Sequence, residues 1–250
     1  MAPAAVERYD RGRRMISLLD VTKRLGSDMV LSHVTLNMER GTITCLRGVN
    51  GSGKTMLLRM AAGLILPTRG TVSVDGLVLG RDIEFPPSMG LLIERPAFIS
   101  SLAGLKNLLL LASLRNEVGE DEIRASIERV GLSPDDRRPV RKYSLGMRQR
   151  LGIAAAIMEH PDFVILDEPF NGLDAHGIEL IVNLLNDERD RGACLAVSCH
   201  ALDEFEEQCD KIVTMRNGYI TDVREGAQAA QRNPREEELP SFQKTTAELP

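Results

Sequence analysis

The sequence lacks the residues that mark several classes of protein. Tryptophan is absent, aromatic residues make up only 4% of the 250 residues, and the longest apolar runs fall far short of the ~18 residues that span a bilayer. The 4 cysteines form no C-x-x-C pair and have no spacing typical of a zinc site. We therefore expect a cytosolic protein with reduced thiols, and neither a membrane-spanning chain nor a disulfide framework.

Basic residues are not in excess either. The chain has 31 Lys and Arg against 36 Asp and Glu, a formal net charge of -5, so no bulk electrostatic attraction draws it to nucleic acid. We expect no nucleic-acid partner. Hydrophobic residues at 43% and charged residues at 27% are ordinary for a globular protein, and the length allows one large domain or two small ones.

Strand-like and helical segments alternate along the chain. Strands are predicted at residues 15–21, 31–38, 42–47, 71–74, 89–93, 163–166 and 193–198, with a closing hairpin across Asn217 and Gly218. Helices are predicted at residues 53–63, 102–114, 121–130, 144–159, 175–190 and 201–208. The pattern predicts an α/β core over residues 15–224 with an all-helical insertion at about residues 95–160. We expect residues 1–14 to be a loose extension and residues 225–250 a flexible tail.

A glycine-rich segment lies where the third strand meets the first helix, and it fits G-x-x-x-x-G-K-[ST] at every fixed position. Glycines let backbone N–H groups turn inward around an oxyanion, and the following helix points its positive end at that anion. Lys54 adds a positive charge and Thr55 offers a hydroxyl to Mg²⁺. The segment predicts a cradle for a nucleoside triphosphate, formed by Gly48, Val49, Asn50, Gly51, Ser52, Gly53, Lys54, Thr55 and Met56.

Two adjacent carboxylates follow the apolar run at residues 163–166. Asp167 ends that strand, where it can hold the Mg²⁺ shell beside the phosphates, and Glu168 can orient or deprotonate an attacking water. This pairing favours hydrolysis over transfer to an alcohol. The glycine-rich loop alone leaves kinases, GTPases, helicases and transport ATPases open, although the chain shows no evident acceptor site for a kinase.

With these motifs in place, the chain resembles the ATP-binding subunits of ATP-binding cassette (ABC) transporters from about Ile16 to Asp222. The segment Tyr143-Ser144-Leu145-Gly146-Met147-Arg148-Gln149-Arg150 looks like the family's signature, usually L-S-G-G-Q. Taken alone, a serine before a helix is a plain N-cap, although the helix N-terminus is also a second anion site. The resemblance implies an ATP hydrolase with a P-loop NTPase (RecA-like) core, an N-terminal antiparallel β-subdomain and a helical ABC-type insertion.

In that family the signature of one subunit closes on the glycine-rich phosphate loop (P-loop) of the other. The resemblance therefore implies a dimer induced by ATP, expected to be a homodimer, whose nucleotide contacts Ser144, Leu145, Gly146 and Met147. It also implies further roles outside the signature. Asp174 is expected to communicate between the two sites, and His200 to be the switch histidine that touches the γ-phosphate and the attacking water. A single histidine at a strand end is otherwise usually structural or solvated.

The sequence departs from the common family pattern at four positions. Glu94 stands where most members carry a metal-contacting glutamine, and we expect it to be a third metal ligand. Leu145 and Met147 replace a glycine and the glutamine of the signature. Together these changes resemble the branch that exports, or confers immunity to, lantibiotics, bacitracin and related peptides. Leu25 stands where the family places an adenine-stacking aromatic.

The resemblance also implies a separate membrane permease as partner, contacted by residues 94–105, and a cytoplasmic protein held on the inner face of the membrane. The alternative is an ABC ATPase that works without a permease, on ribosomes or chromosomes. Such proteins usually carry two cassettes in one chain or a long coiled coil, and neither fits 250 residues.

Overall fold

The computed structural model describes residues 14–200 and 203–232, and there it has the predicted α/β organisation. The strands, in chain order, are β1 (Arg14–Leu25), β2 (Asp28–Glu39), β3 (Thr42–Arg47), β4 (Arg69–Val74), β5 (Leu77–Val78), β6 (Met89–Leu92), β7 (Phe163–Asp167), β8 (Cys194–Cys199), β9 (Lys211–Arg216) and β10 (Tyr219–Glu225). The helices are α1 (Lys54–Ala61), α2 (Gly104–Ala112), α3 (Glu120–Arg129), α4 (Leu145–Ile157), α5 (Ala175–Asp190), α6 (Asp203–Glu206) and α7 (Ala227–Arg232).

The N-terminal strands form a 4-stranded antiparallel sheet in the order β2-β1-β4-β5. Buried and exposed residues alternate along much of β2, as expected of a sheet with one covered face. That face packs on α1, because Leu18 and Leu36 of the sheet share a buried cluster with Leu57 and Leu58 of the helix. This sheet is the predicted antiparallel subdomain.

The second sheet carries the site. Its 6 strands run in the order β10-β9-β3-β8-β7-β6, and all the pairs are parallel except β10 with β9. Every residue of β7 and of β8 is buried, as expected of parallel strands covered on both faces. The carboxyl ends of β3, β7 and β8 therefore meet at one edge of the sheet, where ligands of such folds bind.

The helical insertion lies between β6 and β7 and contains α2, α3 and α4. Its last helix packs directly on the core sheet. A Cβ atom on Gly90 of β6 would lie 1.7 Å from the carbonyl oxygen of Ala156, and one on Gly152 of α4 would lie 2.7 Å from Cγ of Pro96. Only glycine allows this approach, so α4 belongs to the core as well as to the insertion.

The structure differs from the sequence prediction mainly near the C-terminus. The predicted helix over residues 201–208 is observed only as α6, since positions 201–202 lie outside the described residues. The segment where a flexible tail was expected begins with the short helix α7, from Ala227, and the tail itself stays a prediction. The sequence AQAAQR of α7 consists of good helix formers, which outweighs its polar composition. Residues 1–13 and 233–250, where the extension and the rest of the tail were expected, also lie outside the described residues.

Among the residues that the structure describes, each helix is too short or too polar to cross a membrane.

Candidate active site

The glycine-rich loop between β3 and α1 has the backbone that its sequence predicts. Gly51 and Gly53 adopt positive φ values of 78° and 106°, in the left-handed region that favours glycine. At Gly48 a Cβ atom would lie 2.5 Å from the carbonyl oxygen of Met215 and 2.6 Å from Oγ of Ser52. The loop can therefore close tightly only with glycine at these positions.

The start of α1 is left open for an anion. Its N-cap residue, Gly53, makes no side-chain capping bond, so the first N–H groups of the helix have no side-chain partner. The buried ammonium of Lys54 bends back to donate to the carbonyl oxygens of Gly48, at 2.7 Å, and Val49, at 3.3 Å. Oγ of Ser52 is buried without a hydrogen-bond partner. Free N–H groups, a buried cation and an unsatisfied hydroxyl fit a bound phosphate.

The residues around that opening differ in exposure. Val49, Asn50 and Gly51 are exposed at the tip of the loop, and Thr55 and Met56 are half-buried on the first turn of α1. The predicted cradle is therefore accessible from the solvent side.

An oxygen pair suited to Mg²⁺ lies beside this loop. Oγ1 of Thr55 donates to Oδ2 of Asp167 at 2.8 Å, and Oγ of Ser198 donates to the other oxygen of that buried carboxylate. In the described part of the chain no three His, Cys, Asp or Glu side chains are grouped to hold a metal by themselves. Mg²⁺ usually binds through one or two protein oxygens together with waters and phosphates, so the pair fits this ion.

Glu168 lies one residue beyond Asp167 with a φ of 50°, a conformation that is strained for a non-glycine residue and is often found at functional sites. Its Oε1 atom lies 2.9 Å from Nε2 of His200 and 4.0 Å from Nζ of Lys54. Its Oε2 atom accepts a hydrogen bond from Nδ2 of Asn171 at 2.7 Å. The structure thus brings together the predicted base, the predicted histidine and the lysine of the loop.

The signature segment begins α4 as predicted. Ser144 is the N-cap, and its Oγ accepts a hydrogen bond from the N–H of Met147 at 3.1 Å. Leu145 is 54% exposed. A Cβ atom on Gly146 would lie 2.6 Å from the carbonyl oxygen of Gly172, so this glycine is required for packing within the chain itself.

Asp174 has a local role in the structure. It is the N-cap of α5, and its Oδ1 accepts a hydrogen bond from the N–H of Gly177 at 2.9 Å. Its expected role between two sites stays a prediction. Asp174 follows a turn that contains Asn171 and Gly172. Asn171 bonds the carboxylate of Glu168, and the carbonyl oxygen of Gly172 faces Gly146, so this turn contacts both the predicted base and the signature segment.

Glu94 is not bonded to the oxygen pair. It follows β6 with a φ of 61°, and its 63% exposed side chain pairs instead with the guanidinium of Arg59 on α1. Leu25, the residue at the expected adenine position, ends β1 and is 46% exposed.

Sequence reasoning missed three residues of the site. Ser198 bonds Asp167 and also accepts from the N–H of Glu168, at 2.9 Å. Asn171 bonds the carboxylate of Glu168, and Nε2 of Gln149 donates to the backbone carbonyl oxygen of Glu168 at 3.1 Å. Ser198 could have been found by aligning the ends of the two predicted apolar strands, because β7 and β8 pair Asp167 with Ser198. The other two contacts depend on tertiary packing that no local pattern reveals.

Comparison with known proteins identifies the family. The family described as ABC transporter matches residues 31–171, more than half of the chain. The chain belongs to the ABC transporter ATP-binding family. It is therefore an ATP-binding and ATP-hydrolysing subunit with a P-loop NTPase fold, which confirms the resemblance noted from its motifs.

Several named ABC ATP-binding proteins are similar over most of this chain. The uncharacterized ABC transporter ATP-binding protein YybJ of Bacillus subtilis is 41% identical over 206 residues, which cover 82% of this chain and 94% of YybJ. The bacitracin transport ATP-binding protein BcrA of Enterococcus faecalis is 40% identical, covering 83% of this chain and 68% of BcrA. The lantibiotic transport ATP-binding protein SrtF of Streptococcus pyogenes is 33% identical, covering 82% of this chain and 89% of SrtF. The predicted likeness to the bacitracin and lantibiotic branch is confirmed.

Solved ABC cassettes share the fold. An ATP-binding subunit of an ABC transporter superposes with a TM-score of 0.75 at 26% identity, covering 88% of this chain and 93% of that one. The dimeric cassette MJ0796 superposes with a TM-score of 0.76 at 22% identity, covering 84% and 98%. These likenesses agree with the two sheets and the helical insertion described above.

Proposed function

We propose that this ABC ATP-binding subunit powers a separate membrane permease that exports, or confers immunity to, an antimicrobial peptide or drug. The observation that carries the proposal is the 40% identity to BcrA, a protein named for bacitracin transport. Similarity to the lantibiotic transport protein SrtF supports the same class of cargo. The replacements Glu94, Leu145 and Met147 agree with that branch.

The geometry of the site supports the binding roles in this proposal. Lys54 and the open N–H groups at the start of α1 bind the phosphate oxygens of ATP. Thr55 and Asp167 would hold Mg²⁺ through their side-chain oxygens, and Glu94 would be a further ligand if its side chain left Arg59. When bound, the ion neutralises negative charge on the phosphate oxygens.

The hydrolytic roles fall to the two residues that follow β7 and β8. Glu168 accepts a proton from the attacking water, whose oxygen bonds to the γ-phosphorus while the bond from that phosphorus to the bridging oxygen of the β-phosphate breaks. The products are ADP and inorganic phosphate. His200 holds Oε1 of the carboxylate through its Nε2 atom and stabilises charge that develops near the γ-phosphate. Because its carboxylate is already held in one orientation, Glu168 is in place as a base before ATP binds.

A second copy completes each site in this proposal. Ser144, Leu145, Gly146 and Met147 of one copy close on the nucleotide held by the Lys54 loop of the other. The exposure of Leu145 and the N-terminus of α4 support this arrangement. The solved cassette MJ0796, which has the same fold, is dimeric.

We place the permease contact on residues 94–105 and the adjoining face of α2, and the protein on the inner face of the membrane through that contact. Ile99 is 53% exposed, and α2 and the turn after it present an apolar face to solvent. That face consists of Leu110, Leu111 and Leu114.

The test is peptide resistance of a cell that carries this chain with the permease of its own gene cluster. The intact pair should raise resistance to bacitracin or a lantibiotic, and Glu168→Gln should abolish that gain. Crosslinks placed at Ile99 should reach the permease. Unchanged sensitivity to every such peptide, with both proteins present in the membrane fraction, would refute the cargo class.

A further inference from the structure

Arg59 and Glu94 form an ion pair between two elements of the site. Nη2 of Arg59, on the last turn of α1, lies 2.5 Å from Oε1 of Glu94, which follows β6. The Arg59 side chain is 36% exposed and the Glu94 side chain 63% exposed. Ion pairs with this exposure contribute at most about 1 kcal/mol, so the pair can open at little cost.

The pair lies on the metal side of α1. Thr55 and Arg59 are four residues apart on this helix, so their side chains leave the same face about 5–6 Å from each other. Thr55 is the residue whose hydroxyl contacts Asp167 at 2.8 Å. The guanidinium that holds Glu94 therefore belongs to a side chain that leaves α1 on the same face as Thr55.

The loop around Glu94 restricts the way this carboxylate can move. Glu94 has the strained φ of 61°, and Pro96, two residues on, is pressed against Gly152 of α4. Because the backbone is fixed on both sides, by β6 and by this contact, the exposed side chain is the part that can move. Its rotation away from the guanidinium of Arg59 would free the carboxylate for a cation.

We propose that Arg59 is a positioning residue that holds Glu94 and competes with the divalent cation for its carboxylate. In this arrangement Arg59 sets how strongly metal and nucleotide bind together. The inference rests on the proposed function, because it requires Mg²⁺ at Thr55 and Asp167 and a metal role for Glu94.

The experiment measures binding in a Glu168→Gln background, so that ATP is not consumed. The readout is the ratio of the dissociation constant of a fluorescent ATP analogue in EDTA to that in saturating Mg²⁺. Arg59→Ala should raise this ratio about twofold to fivefold, the range that corresponds to an exposed ion pair. Arg59→Lys, which keeps the charge, should stay close to the parent, and Glu94→Gln should lower the ratio.

The double variant separates competition from a general charge effect. When Arg59→Ala is added to Glu94→Gln, the ratio should not change further, because no carboxylate remains to be released. An equal rise in the presence and absence of Glu94 would overturn the proposal. Arg124→Ala is the matched control, because Arg124 is 35% exposed and also paired, but lies on α3 of the helical insertion.

The other outcomes identify which statement fails. If Glu94→Gln lowers the ratio and Arg59→Ala does not raise it, Arg59 has no such role and the proposed metal site stands. If the parent ratio is 1, the proposed metal role itself is wrong. Should Arg59→Ala unfold, as seen by circular dichroism, Arg59→Gln removes the charge at similar length and is expected to give the same rise.

Discussion

Nε2 of His200 lies 2.9 Å from Oε1 of Glu168, although the two residues follow different strands. Parallel pairing of β7 with β8 places Asp167 opposite Ser198, so the residues after these strands leave the sheet at the same edge. The other oxygen of Glu168 faces Asn171. A change at either neighbour therefore acts directly on the carboxylate proposed as the base.

Glu168→Gln should stop turnover and leave ATP binding intact. The amide keeps the size of the side chain and cannot accept the proton of the attacking water, so kcat should fall by about 10²–10⁴-fold. Phosphate release measures the first effect, and binding of labelled ATP measures the second. Glu179→Gln is the control, since Glu179 is exposed on α5 and should keep the parent rate. Near-normal hydrolysis by Glu168→Gln would show that the base is elsewhere.

Asn171→Ala should lower kcat with little change in the KM for ATP. The variant removes the 2.7 Å hydrogen bond that holds Oε2 of Glu168 and leaves the residues of the phosphate loop unaltered. A hydrogen bond to a charged group contributes about 1.5–3 kcal/mol, so a loss of about tenfold or more is expected. Asn171→Asp should be worse, because it places a second negative charge against the carboxylate. Steady-state kinetics on the three proteins decides; an unchanged kcat in Asn171→Ala contradicts the positioning role.

Gly146→Ala should destabilise the chain even without nucleotide. The added methyl group would lie 2.6 Å from the carbonyl oxygen of Gly172, and overpacking of this kind costs about 1–3 kcal/mol. Urea unfolding of the nucleotide-free protein measures the free energy of unfolding. Leu145→Ala, at the half-exposed neighbouring position, adds no atom against this backbone and should cost less. Equal stability of Gly146→Ala and the parent would mean that this glycine matters only in the dimer.

The four cysteines should react slowly with a thiol reagent in the native protein. All four are buried and free. Burial raises the pKa of Cys194, and a hydrogen bond with Cys45 together with burial raises that of Cys199. A raised pKa leaves less thiolate at pH 8, and thiolate is the reactive form. A chromogenic disulfide should label the native protein about 100-fold more slowly than the protein unfolded in guanidinium, because the native structure must first open locally to expose a thiol. Rapid native labelling at pH 8 would show that the burial of these thiols is wrong.

The elements predicted from local patterns are those whose signal is contained in a few residues. The glycine-rich loop before α1 and the continuous apolar run of β7 are of this kind, and both were found where expected. The 2-residue strand β5, Leu77–Val78, is too short to carry a periodic signal and was missed. Its existence depends on pairing with β4, which is a tertiary contact.

The candidate site was predictable to the same degree. Asp167 and Thr55 meet because a strand end and a helix start converge at one sheet edge, which the order of the motifs implies. The partner of Glu94 was not predictable in this way. An exposed carboxylate pairs with whichever cation the tertiary structure brings near, and here that cation is Arg59 of α1.

The close approach of α4 to β6 has a mechanical consequence. The backbone of β6 contacts α4 at Gly90, and only the ring of Pro96 lies between Gly152 and the turn after β6. The strand and the helix therefore form one rigid unit. Ser144 caps the N-terminus of α4, and Glu94 lies two residues after the end of β6. Gly90 faces Ala156 and Gly152 faces Pro96, so the strand and the helix run in opposite directions, and Glu94 and Ser144 lie toward the same end of this unit. A displacement that a neighbouring molecule imposes near Glu94 therefore moves the start of α4 with it, with no need for a relay of side chains.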